Sequence, residues 1–404
     1  MTSNIVLIVM DTARADVFSP GDEAALDPPI GGRRYTNAFA SAPWTLPSHA
    51  GLFTGTYSSN HGAHAGHKRL SDERATLAEA LSEGGYETVG VSNNTWVSEE
   101  FGFARGFETF HKTWQYVQTE TDLGEIARTQ EGTDKLKGVA RKILEGNPIT
   151  NLTNAIYGQF FRRRTDEGAR ATNEWVDDWL DDREGSRPFF LFINYLEPHL
   201  EYRPPREFAE AYLPDGVGYE EAMEVPQDAW GYIAGTVEMG EREFEILRGL
   251  YRAELAYLGE RIRELRSMLE AAGEWEDTVF VVTGDHGENV GDHGLMDHQY
   301  CLYDTLLHVP LFVHGPGFDE GEDDRLVQLT DLFPTLLDVA GIDADETREG
   351  LQGTSFHPET DADPREYAIA EYLSPQPSME ALERRVGELP SEVERFDRSL
   401  RAIR

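Results

Sequence analysis

Short runs of residues that are apolar throughout recur along the chain. They are IVLIVM (5–10), TVGVS (88–92), FFLFINYL (189–196), TVFVV (278–282) and VPLFV (309–313), with YAIAEY (367–372) last. A strand with one wet face alternates apolar and polar residues. Runs without that alternation belong in a sheet covered on both sides, as buried parallel sheets are. Helical patterns lie between them. LAEALSEGGY (77–86) ends in glycines, TNEWVDDWLDD (172–182) is amphipathic, residues 244–273 space their apolar side chains by three and four, and TDLFPTLLDVAG (330–341) ends at Gly341. This alternation predicts an α/β fold, a doubly wound and mostly parallel sheet with helices on both faces. A chain of 404 residues is long enough to give it a sizeable core.

The segment from 111 to 170 breaks the rhythm. It holds Lys112, Lys135, Lys137, Lys142 and the run FFRRR (160–164). It reads as an inserted helical cap over the site or as a solvated helical excursion. Being basic and aromatic, it could also touch an anionic membrane surface. Elsewhere the chain is strongly acidic, with 74 Asp and Glu against 36 Lys and Arg and a formal charge of -38. That excludes nucleic acid as the expected partner, because a phosphate backbone requires a basic face. An acidic surface with only five lysines fits solubility in high salt, so the expected source is halophilic and archaeal; the alternative is an ordinary acidic cytosolic enzyme. The single cysteine, Cys301, permits no intramolecular disulfide. The N-terminus lacks a basic region before its short apolar run, and no run approaches membrane-spanning length, so the expectation is a cytoplasmic protein without a transmembrane segment. Its oligomeric state is left open.

In open α/β sheets, ligands bind beyond the carboxyl ends of the strands. Asp11 follows the run 5–10, Asp285 and His286 follow 278–282, and His199 follows 189–196 in EPHLEY. Carboxylates and imidazoles delivered to one sheet edge from distant parts of the chain form a candidate metal site with oxygen and nitrogen ligands. Taken singly, each also reads as a helix cap or a loop residue. Together they would repel one another without a cation. In APWTLPSHAGLFTG (42–55), Pro47 suits a first helical turn and Gly55 a helix end. Thr45 therefore sits just before a helix N-terminus, where exposed N–H groups favour an anion. A hydroxyl there, also bound to a divalent cation, loses its proton more readily and becomes a usable nucleophile; a Thr that merely caps the helix is the alternative.

At this point the chain resembles the sulfatase family of the alkaline phosphatase superfamily. The resemblance runs through VLIVMDTARAD (6–16), TLPSHAGLFTG (45–55), GFARGFETF (102–110), FINYLEPHLEYRPP (192–205), VVTGDHGENVGDHG (281–294), LYDTLLHVPLFVHGPG (302–317) and LTDLFPTLLDVAGI (329–342). It implies a catalytic α/β domain over 1–345, with 346–404 as a C-terminal remnant and the usual C-terminal subdomain reduced or missing. It implies a metal held by Asp11, Thr45, Asp285 and His286, a substrate-contacting His199, and His298 where the family has a Lys or His near the leaving group. Most members have Cys or Ser, converted to formylglycine, at the position of Thr45 and an Arg at that of His49. A secondary hydroxyl cannot be oxidised to an aldehyde, so that chemistry is excluded here. VSNNTW (91–96) replaces the family's Gly-Lys-Trp-His segment, with Asn94 in part of that space, and Thr12 replaces the second Asp of an Asp-Asp pair. The threonine looks instead like that of phosphoryl-transferring relatives. The expectation is therefore a metal-dependent hydrolase of sulfate or phosphate esters, phosphodiesters and phosphomonoesters favoured, with Thr45, His49, His199 and His298 as its catalytic residues. Its substrate would be a small anionic ester, free or carried on a glycan or lipid. The alternatives are a phosphoglycerol-transferase-like enzyme and a non-catalytic protein that binds anionic glycans or lipids. One divalent ion is expected, Mn²⁺, Zn²⁺ or Ca²⁺. A second is left open, with His199, Asp292, His293 and His308 as spare ligands among which no spacing selects.

Overall fold

Among the described residues, seven strands run one way through the central sheet and one runs against them. In chain order its strands are β1 (Asn4–Met10), β2 (Arg33–Phe39), β3 (Glu87–Ser92), β4 (Thr109–Lys112), β5 (Phe189–Tyr195), β6 (Thr278–Gly284), β9 (Leu311–His314) and β10 (Gly321–Gln328). Two short strands, β7 (Asn289–Val290) and β8 (Met296–Asp297), form a separate hairpin between β6 and β9. The sheet order is β10-β2-β9-β6-β1-β5-β3-β4. Only β9 is antiparallel to its neighbours, β2 and β6. The computed structural model describes residues 3–18, 26, 28–115, 166 and 168–404. The body of the expected insert over 111–170 therefore lies outside the described residues.

Every residue of β1, β5 and β6 is buried. In β1, Ile5, Leu7 and Val9 enter one hydrophobic cluster, while Val6, Ile8 and Met10 enter another on the opposite face. This period-two division is why the run reads as continuously apolar: both faces are inside. The first cluster takes in helices α1 (Thr45–Thr54), α2 (Leu77–Glu83) and α5 (Leu332–Ala340), and the second takes in α3 (Ala169–Asp182) and α4 (Glu241–Ala272). Each aliphatic side chain so buried contributes about 1.5–3 kcal/mol. The start of α2 is fixed by a capping box, with Thr76 accepting from the Glu79 N–H and the Glu79 carboxylate accepting from the Thr76 N–H.

YAIAEY departs from expectation. Its strand β11 (Ile369–Tyr372) does not join the central sheet but pairs antiparallel with β12 (Leu400–Ile403). One face of this pair, with Ala370 and Tyr372, packs into the first cluster, while Ile403 on the other face is 76% exposed. The C-terminal residues are tied to the main body by Glu371 N–H donating to Ser41 O (2.9 Å) and by the Arg365–Asp331 ion pair.

The central strands β6, β1, β5 and β3 lie side by side and parallel. Asp285, Asp11, the 196–199 loop and Asn94 follow their ends, so this topology brings the candidate residues to one edge.

Candidate active site and metal centre

Helix α1 brings Thr45 to that edge. Trp44 is its extended N-cap residue and makes no side-chain cap, so Thr45 is the first helical residue rather than one preceding the helix. The leading N–H groups and the helix dipole then face the site, which suits an anion. The helix stops at Gly55, whose φ of 61° is left-handed, and a Cβ there would lie 2.8 Å from Leu351 Cδ2.

Around Thr45 three other side chains each have one atom pinned by the protein and another aimed at a common point. His286 Nδ1 donates to Gly287 O (2.9 Å), which leaves the lone pair on Nε2. That Nε2 lies 3.4 Å from Thr45 Oγ1, 3.3 Å from Asp285 Oδ2 and 3.8 Å from Asp11 Oδ1. Asp285 Oδ1 accepts from the N–H groups of Thr12 (3.1 Å) and His286 (2.8 Å), and Asp11 Oδ2 accepts from the Asn94 amide. The opposite oxygens, Asp11 Oδ1 and Asp285 Oδ2, are fully buried and have no hydrogen-bond partner among the described residues. Two orphaned carboxylate oxygens and an imidazole lone pair within 4.8 Å of one another repel unless a cation sits among them, so the donor set fits a divalent metal.

The electrostatics agree. Burial and the charge of Asp285 push the Asp11 carboxyl well above its usual range. Burial would raise Asp285 too, but the facing His286 and His49 rings and the Thr12 N–H outweigh it and bring it down to about 2. Burial holds His286 down at about 3, in the neutral form a metal ligand needs.

His49 does not stand where a substrate would meet it. It is fully buried, with its ring edge-on to Phe103 and Phe192. Its Nδ1 lies 3.0 Å from Thr45 O and 3.4 Å from Asp285 Oδ2. One helical turn below Thr45, it braces the first turn and the carboxylate from inside. Ser48 does the same on the same helix, its Oγ donating to Asp285 O at 2.6 Å.

His199 and His298 do converge. Their ring centroids are 5.2 Å apart, and His298 lies 4.6 Å from His286. His199 Nδ1 donates to Leu200 O (2.5 Å), leaving Nε2 free of that bond. Burial lowers the His199 pKa. Burial also opposes a charge on His298, but Asp297 Oδ1 at 2.5 Å and Glu288 Oε1 at 3.5 Å hold its pKa well above the ordinary value. Glu288 itself is pushed up to about 7 by burial.

Of the four spare ligand candidates, only His199 reaches the site. Asp292 Oδ2 is held by Arg14 (2.8 Å) and the Val290 N–H (2.9 Å). His293 stacks on Tyr303, and His308 stacks on Phe39 with Nε2 2.8 Å from Thr36 O. Cys301 is buried with Leu295 and Leu306. Sequence reasoning missed Ser48, Glu288 and Asp297. The residue types are visible in GDHGENVGDHGLMDHQ (284–299), but their proximity depends on the β7–β8 hairpin, which pairs Asn289 with Asp297.

A family model described as Sulfatase matches residues 3–342. The chain belongs to the sulfatase family of ester hydrolases. Among similar proteins is an arylsulfatase of Clostridium perfringens, 24% identical over 405 residues that cover 92% of this chain and 82% of that protein. The choline-sulfatase of Rhizobium meliloti is 24% identical over 374 residues, covering 88% and 71%. Arylsulfatase K of Rattus norvegicus is 25% identical, and this chain spans only 60% of its length. The fold is shared with the phosphonate monoester hydrolase of Agrobacterium radiobacter, at a TM-score of 0.66 and 20% identity over 100% of this chain and 85% of that one. It is likewise shared with a 2-O GAG sulfatase, at 0.62 and 19% over 93% and 78%. In this sulfatase-family chain, Thr12 contributes no carboxylate; its backbone N–H holds Asp285 instead. No helix among the described residues is long and apolar enough to cross a membrane.

Proposed function

We propose that this chain hydrolyses phosphate esters, diesters and monoesters ahead of sulfate esters, with Thr45 as nucleophile. The observation that carries the reading is Thr45 Oγ1 at the first turn of α1, 3.4 Å from His286 Nε2 within the Asp11–Asp285–His286 set. When bound, a divalent ion supplies Lewis-acid polarisation of the ester and lowers the pKa of the hydroxyl beside it. Asp11, Asp285, His286 and Thr45 would hold it, and the imidazole favours Mn²⁺ or Zn²⁺ over Ca²⁺.

The chain's own groups supply the rest. The first turn of α1 offers N–H groups to the equatorial oxygens of the ester. His49 and Ser48 keep Thr45 and Asp285 in register from beneath. Thr45 Oγ, its proton lost to solvent, attacks in line; the Oγ–P bond forms as the bond to the leaving oxygen breaks. His298 carries the proton that the leaving oxygen takes up, and His199 flanks the same point. Water then cleaves the Thr45-linked phosphoryl group and restores the hydroxyl. Charge favours the singly charged phosphodiester over the doubly charged phosphomonoester. With Thr12 in place of a second Asp, two carboxylates face a divalent ion and cancel it. The helix N-terminus and the protonated His298 are then the remaining pull on substrate, which suits a singly charged diester.

The test is turnover of p-nitrophenyl phosphate, bis-p-nitrophenyl phosphate and p-nitrophenyl sulfate with Mn²⁺, Zn²⁺ or Ca²⁺. Thr45→Ala is expected to lose on the order of 10³-fold or more in kcat, and Thr45→Ser to retain most of it. Full turnover by Thr45→Ala removes the nucleophile assignment, and a preference for the sulfate ester removes the phosphate reading.

A further inference from the structure

Behind His298 lie two carboxylates, Glu288 and Asp297, that the mechanism leaves unused, and with the ring they make a second set of ligand-type side chains. The β7–β8 hairpin pairs Asn289 with Asp297, which sets Glu288 across from His298. Glu288, Asp297 and His298 each offer one ligand atom, all within 4.8 Å of one another. Among the described residues, only this set and Asp11–Asp285–His286 meet that condition.

The hydrogen-bond supply in this pocket is uneven. Asp297 Oδ1 accepts from the His298 backbone N–H (2.6 Å) and lies 2.5 Å from His298 Nδ1, while Oδ2 accepts from Gln299 Nε2 (2.5 Å). Glu288 is fully buried, and neither of its oxygens has a hydrogen-bond partner among the described residues. Its Oε1 points at the same nitrogen, 3.5 Å from His298 Nδ1. One ring nitrogen thus faces two carboxylates, and it can hold only one hydrogen. A hydrogen given to Asp297 leaves Glu288 with nothing, and a buried carboxylate without a donor is among the least favourable groups a protein interior can hold. A cation among the three satisfies all of them at once.

We propose that Glu288, Asp297 and His298 Nδ1 form a second divalent-cation site, separate from the one beside Thr45. Two carboxylates and an imidazole repeat the donor composition of the first set, so the same borderline ions, Mn²⁺ and Zn²⁺, suit it. A cation on Nδ1 leaves Nε2 as the nitrogen that can carry hydrogen, on a ring adjoining those of His199 and His286. The second ion would thereby fix the tautomer and orientation of His298. The inference does not depend on which ester is cleaved.

The experiment counts metal rather than turnover. The full chain is stripped with EDTA, titrated with Mn²⁺ and separately with Zn²⁺, and bound metal per chain is measured after gel filtration by elemental mass spectrometry. The wild type is expected to bind two equivalents. Glu288→Gln, which keeps the shape of the side chain, is expected to fall to about one. Asp11→Asn, which disables the first set, is also expected to retain about one, and the double variant none. Two observations overturn the proposal: a single equivalent in the wild type, or two equivalents retained by Glu288→Gln. Should Glu288→Gln fail to fold, Asp11→Asn decides alone, since loss of all bound metal there leaves no second site.

Discussion

Replacing Asp11 by Asn is expected to stabilise the metal-free protein while destroying much of its response to metal. Asp11 and Asp285 each bring a carboxylate oxygen within 4.8 Å of the other's, and both side chains are fully buried. At an effective dielectric of 20, two charges at that separation repel by about 3 kcal/mol. Without metal the protein either bears this repulsion or takes up a proton on Asp11, whose pKa is already raised by burial and by Asp285. Both routes cost stability at neutral pH. Asparagine removes the charge and keeps the shape, at the loss of about 1 kcal/mol as the charge-assisted bond from Asn94 becomes a neutral one. The balance leaves the variant more stable than wild type by about 1–2 kcal/mol in chelator.

Metal reverses the order. A ligand at 100 times its Kd adds about 2.7 kcal/mol to the state that binds it. Wild type is expected to gain that from the site beside Thr45, and Asp11→Asn is not. Urea unfolding followed by tryptophan fluorescence, in EDTA and then in excess Mn²⁺, measures all four stabilities. The curves of the two proteins should exchange places. A variant less stable than wild type by more than about 2 kcal/mol in EDTA would mean that Asp11 is a structural carboxylate. Equal gains from Mn²⁺ in both proteins would mean that it is not a ligand.

His61 is fully buried, its Nε2 has no hydrogen-bond partner among the described residues, and burial, the nearby His64 and Arg74 hold its pKa down to about 3. The unfolded chain takes a proton there below about pH 6.5 that the folded state refuses, so stability is flat above that pH and falls as pH drops towards 3. By pH 5 the loss from this residue is about 2 kcal/mol, and His61→Asn should be correspondingly less sensitive between pH 7 and pH 5; identical slopes would show that the ring accepts its proton in place. His298→Asn should lose about 10²–10⁴-fold on an alkyl phosphodiester and far less on a p-nitrophenyl one, whose leaving oxygen needs no proton. Equal losses on both substrates would take the leaving-group role from His298.

Residues that act where they are written were legible in the sequence, and residues that act through a register were not. Strands β1, β5 and β6 announce themselves because both of their faces are buried. The same fact exposes Asp11 and Asp285, since the first polar residue after such a run must emerge at the carboxyl edge. Strand β10, GEDDRLVQ, is largely exposed or half-buried at the sheet margin, so it carries no apolar run to find it by. YAIAEY differs: one face enters the core, and the other sets Ile369 beside Ile403 and Glu371 in an ion pair with Arg401. A local apolar pattern does not say which sheet a strand joins. His49 shows the same limit at the site. From the sequence it reads as a catalytic residue because it stands at the family's Arg position, one turn after Thr45. Its place on α1 turns it inward, where its ring lies against Phe103 and Phe192 and its Nδ1 meets Thr45 O and Asp285 Oδ2. Glu288 and Asp297 lie nine positions apart in a loop without periodicity, and a hairpin of two-residue strands makes them neighbours. Their meeting is a property of that hairpin alone. For that reason the candidate second site is the part of this molecule that most needed coordinates to be seen.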